Sequence, residues 1–143
     1  MKTGFISVLV ALGALVSTPA LADSKQAESC VRSAMWEAWS SGWSNQAMRS
    51  ADLEPGGAKH FLVTLDGGRQ YAFLGCGDEG VKNLDMMVYD LDGHVVARDY
   101  SFSSTARVEF SPTQTGGYYV VMHARETLDS TEPSSVAVAV TYR

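Results

Sequence analysis

The sequence predicts a mostly β fold, an antiparallel β-sandwich or jelly roll of about seven strands behind one N-terminal helix. Two observations carry that expectation. From residue 59 onward, apolar runs of strand length alternate with Asp-Gly, Ser-Pro and Gly-Gly punctuation, as in consecutive strands joined by tight turns. Ahead of them, residues 25–41 change to a 3.6-residue period, with Val31, Met35 and Trp39 at i, i+4 and i+8.

Taken in order, residues 1–22 read as a signal peptide. Lys2 precedes an apolar run over 5–16, too short for a bilayer span of roughly 20 residues. Pro19-Ala20-Leu21-Ala22 then puts small residues where a signal peptidase reads. Cleavage there makes Asp23 the first residue of an exported, periplasmic or secreted chain. Residues 23–57 are expected to form a helical segment and 58–143 the β-sandwich domain. Ser24 is placed to cap the helix and Glu28 lies in its first turns, where the dipole favours negative charge. Trp36 falls beside the apolar stripe. Ser40-Ser41-Gly42 weakens the helix, residues 43–48 suggest a further turn, and Glu54-Pro55-Gly56-Gly57 ends it.

The strands follow. Residues 59–65 and 69–75 flank Asp66-Gly67-Gly68, a hairpin signal, with Tyr71 and Phe73 on one face and Ala72 and Leu74 on the other. Residues 83–89 and 94–100 flank Asp90-Leu91-Asp92-Gly93, a second hairpin signal. In 106–110 the alternation sends Ala106, Val108 and Phe110 inward and Arg107 and Glu109 outward. A strand at 118–124 follows Ser111-Pro112 and Gly116-Gly117. Val136, Val138, Val140 and Tyr142 share one face of the last strand.

Charge narrows the partners. The chain carries a net charge of −5, and loss of Lys2 with the signal peptide makes it one unit more negative. Without a basic run to release counterions from phosphate, neither nucleic acid nor an anionic membrane suits it; an extracytoplasmic protein or a carbohydrate does. Cys30 and Cys76 form an even pair in an oxidising compartment, without the C-x-x-C spacing of redox chemistry, and are expected to form a disulfide.

Several motifs then point to a family. Tyr71-Ala72-Phe73, Gly75-Cys76-Gly77-Asp78, residues 84–90, Asp92-Gly93, Phe110-Ser111-Pro112 and Thr115-Gly116-Gly117-Tyr118 together resemble the bacterial pre-peptidase C-terminal domain, over about residues 59–143. The resemblance implies a small exported β-sandwich that serves as a non-catalytic module. Thr115-Gly116-Gly117-Tyr118 is also similar to the Ser-Gly-x-Tyr loop of periplasmic inhibitors of invertebrate-type and goose-type lysozymes, with Thr for Ser. That similarity implies a loop, residues 115–119, that enters an enzyme's catalytic cleft.

Other candidate sites rest on side-chain chemistry alone. Trp36, Trp39 and Trp43 suit a stacking platform for sugars or an anchor for a protein, and equally a stripe docked on the β-domain. Asp78 and Glu79 are weak calcium candidates, since that ion takes oxygen ligands in exported modules. Asp90-Leu91-Asp92-Gly93 fails the EF-hand pattern and reads as turn chemistry. His60, His94 and His123 belong to no H-E-x-x-H motif, and no G-x-S-x-G elbow is present, so no catalytic residue is assigned and no cofactor is expected. The sequence supports an exported non-catalytic binding module, with a lysozyme inhibitor acting through residues 115–119 as the alternative.

Overall fold

Strands that are apolar on both faces need cover on both sides, and two such strands set the architecture. In a computed structural model describing residues 22–143, these are β3 (Tyr71–Gly77) and β8 (Ser134–Tyr142), buried along almost their whole length. They are neighbours in a sheet of order β1-β8-β3-β6, where β1 is Ser44–Leu53 and β6 is Thr105–Phe110. The second sheet has order β2-β7-β4-β5, with β2 Ala58–Leu65, β7 Gly116–Thr127, β4 Val81–Asp90 and β5 Val95–Asp99. All pairings are antiparallel, and the two sheets form a β-sandwich of eight strands among the described residues.

Between the sheets lie Tyr71, Phe73, Val136, Val138 and Val140 from one side and Leu65, Leu84, Met86, Val88, Val120 and Met122 from the other. Gly75 belongs to this layer. A Cβ there would stand 2.3 Å from Met86 Cε and 3.1 Å from Met122 Cε, so the bare backbone makes room for two methionines. On the other face of the same strands, Ala72, Leu74, Ala137 and Ala139 meet the helix α1 (Ser24–Ser40).

The helix turns Ala27, Val31 and Ala38 to the sheet, with Cys30, Ala34 and Met35 partly buried beside them. The expected stripe of Val31, Met35 and Trp39 is thus displaced near its end. Alanine on both surfaces lets helix and sheet approach closely, and the indole of Trp39 is too large for that contact. Asp23, not Ser24, is the N-cap, its side chain accepting from Gln26 N at 3.1 Å. Cys30 and Cys76 are joined as a disulfide, tying the middle of α1 to β3.

Two local expectations are corrected. Residues 43–48, taken as a further helical turn of the segment 23–57, open strand β1. Gly42, at φ +92°, reverses the chain after α1, and β1 then pairs with β8 along its length. β1 has no β-branched residue, so its conformation comes from pairing and not from propensity. Asp66-Gly67-Gly68 does not close a hairpin. β2 alternates in burial and suits an edge of the open sheet, whereas β3 is apolar throughout and needs the helix-covered one. The chain therefore crosses between sheets, with Asp66 N donating to the hydroxyl of buried Tyr71 at 2.7 Å and Gly68 N to Pro112 O at 2.9 Å. The second expected hairpin does form, between β4 and β5. The proposed signal peptide, up to Leu21, lies outside the described residues. Among those described, no helix is long and apolar enough to cross a membrane.

The disulfide closes a separation of 46 residues. Cys30→Ala with Cys76→Ala is expected to lower unfolding free energy by about 4 kcal/mol, read from denaturant curves, if the constraint acts on the unfolded chain. Gly77 is a separate test of packing. An added Cβ would lie 2.4 Å from Val81 Cβ, so Gly77→Ala should cost about 1–3 kcal/mol by overpacking.

Candidate functional site

The two outer faces of the sandwich differ, because only one carries the helix. On the β2-β7-β4-β5 sheet, the alternation that sends Phe61, Val63, Val120, Met122, Met86 and Val88 inward sends their neighbours outward. The strand register lines these up across the sheet. Leu62 is opposite Tyr119, Tyr119 opposite Tyr89, and Tyr89 opposite Val95, making one apolar row over four strands. The next row contains His60, Val121, Met87 and Arg98. The His60 ring stands edge-on to Tyr119, with centroids 5.7 Å apart. An open groove of about 280 Å³ runs here, lined by His60, Tyr89, Asp90, Leu91, Gly93, Tyr119 and Val121.

The turn between β4 and β5 forms one wall. Asp90 Oδ1 accepts from Asp92 N at 3.0 Å and His94 N at 2.8 Å, and Oδ2 lies 3.2 Å from His94 Nδ1. The His94 backbone N–H, more than any other contact, holds the Asp90 carboxyl below its ordinary value of 3.8, with the His94 ring and the Asp92 N–H adding to it. Asp90, Asp92 and His94 bring potential ligand atoms within 4.8 Å of one another, but the Asp90 oxygens serve the turn. That turn presents Leu91, 62% exposed, over the groove.

The 115–119 segment reaches the groove through Tyr119. Thr115 is exposed, and its Oγ1 accepts from Gly67 N at 3.0 Å, which anchors the loop on the β2–β3 crossing. Gly116 and Gly117 open β7. A Cβ on Gly117 would meet both Cδ atoms of Leu91 at 3.4 Å and Leu62 Cδ1 at 3.6 Å. These are ordinary contact distances, and the two exposed leucines thus flank the backbone at Gly117. Tyr118, a candidate partner-binding residue of the loop motif, packs against Phe110, centroids 5.1 Å apart, at the edge of the core. Tyr119 is the aromatic residue that faces outward. The parity of the strand separates the two.

The tryptophans also divide. Trp43, offered as a ligand contact, is 4% exposed; Arg143 and Arg107 lie over its ring at 4.4 and 5.5 Å, and it belongs to the core beneath the helix. Trp36 and Trp39 are 67% and 58% exposed and stack at 5.2 Å, beside a surface groove shared with Arg32, Met35 and Asn45. This second surface lies on the helix, on the other side of the sandwich. Asp78 does not have the character of a calcium ligand. It is buried, and its oxygens accept from the backbone N–H groups of Asp23, Gly80 and Ser135 at 2.9–3.0 Å. Glu79 is exposed, and its backbone N donates to Gln26 Oε1. His60 and His123 stand on neighbouring strands, with His123 Nε2 3.2 Å from Gly56 O.

The fold is one already seen. The chain is similar to the crystal structure of Aeromonas hydrophila PliG, a periplasmic lysozyme inhibitor of g-type lysozyme. The TM-score is 0.50, with 13% identity over 69% of this chain and 87% of that one. The two proteins share a fold. No family model matches the chain, so the resemblance to the pre-peptidase C-terminal domain rests on its motifs alone. No curated protein matches it either.

The Asp90 turn offers a pH test. A carboxyl lowered on folding contributes stability that is full above its unfolded value and lost as pH falls through the folded value. The side-chain carboxyl carbon signal of Asp90 is expected to titrate with its midpoint below 3.8, and the stability that the turn gains from the ionised form should fall with it. A midpoint at or above the ordinary value would contradict the turn geometry.

Proposed function

We propose that the chain is an extracytoplasmic inhibitor of a lysozyme, binding it through residues 115–119 and the apolar groove beside them. The observation that carries this reading is the placement of Gly117 against Leu62 and Leu91, with Leu91 and Tyr119 lining the groove, on a fold shared with a periplasmic lysozyme inhibitor. An exposed apolar row with a polar loop at its end has the composition of a protein-docking surface. The Cys30–Cys76 disulfide supports an oxidising compartment. Thr115 supplies a hydroxyl to the cleft, Gly116 and Gly117 let the backbone enter it, and Leu91 and Tyr119 bury apolar area against its rim.

A second reading has its own observation. The stacked, exposed Trp36 and Trp39 form a flat aromatic surface of the kind that takes a sugar ring. On that reading the chain is an exported carbohydrate-binding module, and the helix is its working face.

One experiment separates them. Purified protein is titrated against goose-type and invertebrate-type lysozymes in a cell-wall lysis assay, and tryptophan fluorescence is followed against soluble glycans. The inhibitor reading expects stoichiometric loss of lysis for one enzyme class. Leu91→Glu should weaken it at least about tenfold with melting temperature unchanged, because that side chain is exposed. Thr115→Ala should weaken it as well, with a small fall in melting temperature because Gly67 N loses its acceptor. Trp36→Ala should leave inhibition intact. Full lysis in the presence of excess folded protein refutes the inhibitor; quenching by glycans, lost in Trp36→Ala, would transfer the function to the helix.

A further inference from the structure

Asp78 is a carboxylate 5% exposed, and among the described residues no Lys, Arg or His lies within ion-pair distance of it. Its surroundings add negative charge. Asp23, Glu79, Asp129 and Glu132 line the same cavity of about 310 Å³. A buried carboxylate without a counter-charge is costly, and the three backbone N–H donors around Asp78 offset that cost only in part. One of the three is unlike the others. The nitrogen of Asp23 donates to Asp78 Oδ2 at 3.0 Å, and Asp23 follows the Pro19-Ala20-Leu21-Ala22 motif directly. Ser134 also lines this cavity, and its Oγ is buried without a hydrogen-bond partner.

We propose that the chain is processed between Ala22 and Asp23 and that the freed α-ammonium of Asp23 pairs with Asp78, locking α1 onto the sandwich. The bond broken is the amide between the Ala22 carbonyl carbon and the Asp23 nitrogen. An endopeptidase of the signal-peptidase class supplies water, whose hydroxyl goes to the carbonyl carbon and whose hydrogen goes to the nitrogen. The resulting amine takes one more proton from solvent at neutral pH. The N–H donor already aimed at Asp78 then becomes a cation without moving, in a place where no side chain provides one. An ammonium has more N–H bonds to offer than an amide, and Ser134 Oγ is an acceptor of the kind they need. The Asp23 side chain caps the helix through Gln26 N, and Gln26 Oε1 accepts from Glu79 N. Charge, cap and loop therefore act together on the first turn of α1, and processing completes them.

The test compares two preparations of residues 23–143, one with a free Asp23 amine and one acetylated there. The free form should melt higher by about 2–6 °C at neutral pH. The ammonium contributes below the α-amine's unfolded range of about 7.7–8.0, and its advantage is lost as pH rises through the folded value. The charged groups that face the amine from the cavity wall are Asp78, Glu79, Asp129 and Glu132, all of them acidic. In Asp78→Asn the two preparations should melt alike. If that variant fails to fold, titration of the free amine in the native protein still decides, and it should hold its proton about tenfold or more tightly than an ordinary α-amine. Equal melting of free and acetylated chains, an ordinary titration, or an exported protein beginning at a residue other than Asp23 would overturn the proposal.

Discussion

The structure depends on a sheet that is apolar on both of its faces. β3 and β8 supply the inner layer of the sandwich with Tyr71, Phe73 and the valines of β8, and present Ala72, Leu74, Ala137 and Ala139 outward. Left uncovered, that outer layer would be a large wet apolar surface. The helix exists in this fold to cover it. Small residues on both sides of the contact bring the helix close, and the close approach is what expels Trp36 and Trp39 to the surface. Among the described residues the other sheet carries no helix, and its outer row faces outward uncovered.

Three attachments hold the cover in place, and each acts on a different part of α1. At the start, Asp23 and Gln26 engage Asp78 and Glu79. In the middle, the disulfide reaches β3. Past the end, Trp43 is buried in the helix–sheet layer beneath the guanidinium groups of Arg107 and Arg143. Polar, covalent and apolar contacts thus share the task along one helix. Loss of any single one leaves the cover tethered elsewhere.

Much of this was legible in the sequence, and the misreadings share a cause. The β-sandwich class, the helix, the disulfide, the β4–β5 hairpin and the opposite faces of Tyr71 and Ala72 all follow from local periodicity or chemistry. β1 and the crossing at Asp66 did not, because both are decided by partners distant in the chain: β1 by β8, and β3 by β6 and β8. Glycine at a turn reports that the chain bends; it does not report which sheet the chain enters next. At the candidate site, the 115–119 segment stands out by its Thr-Gly-Gly-Tyr motif, but the motif names Tyr118 among the partner-binding candidates and not Tyr119. Counting parity from the buried Val120 would have placed Tyr119 outward. Leu62 and Leu91 carry no motif, and only the strand register brings them to Gly117.

The order of strands in the two sheets has one more consequence. Among the described residues neither sheet closes on itself, so β1, β6, β2 and β5 each leave a row of backbone groups without a neighbouring strand. Such rows can template a strand from another molecule. Here β5 and β6 span only five and six residues. The register also slips at Gln46 in β1 and at Val96 in β5, and a bulge twists an edge away from flat pairing. These irregularities act as a guard against fibre growth. The protection against strand addition is carried by the backbone itself and does not depend on any side chain at these edges.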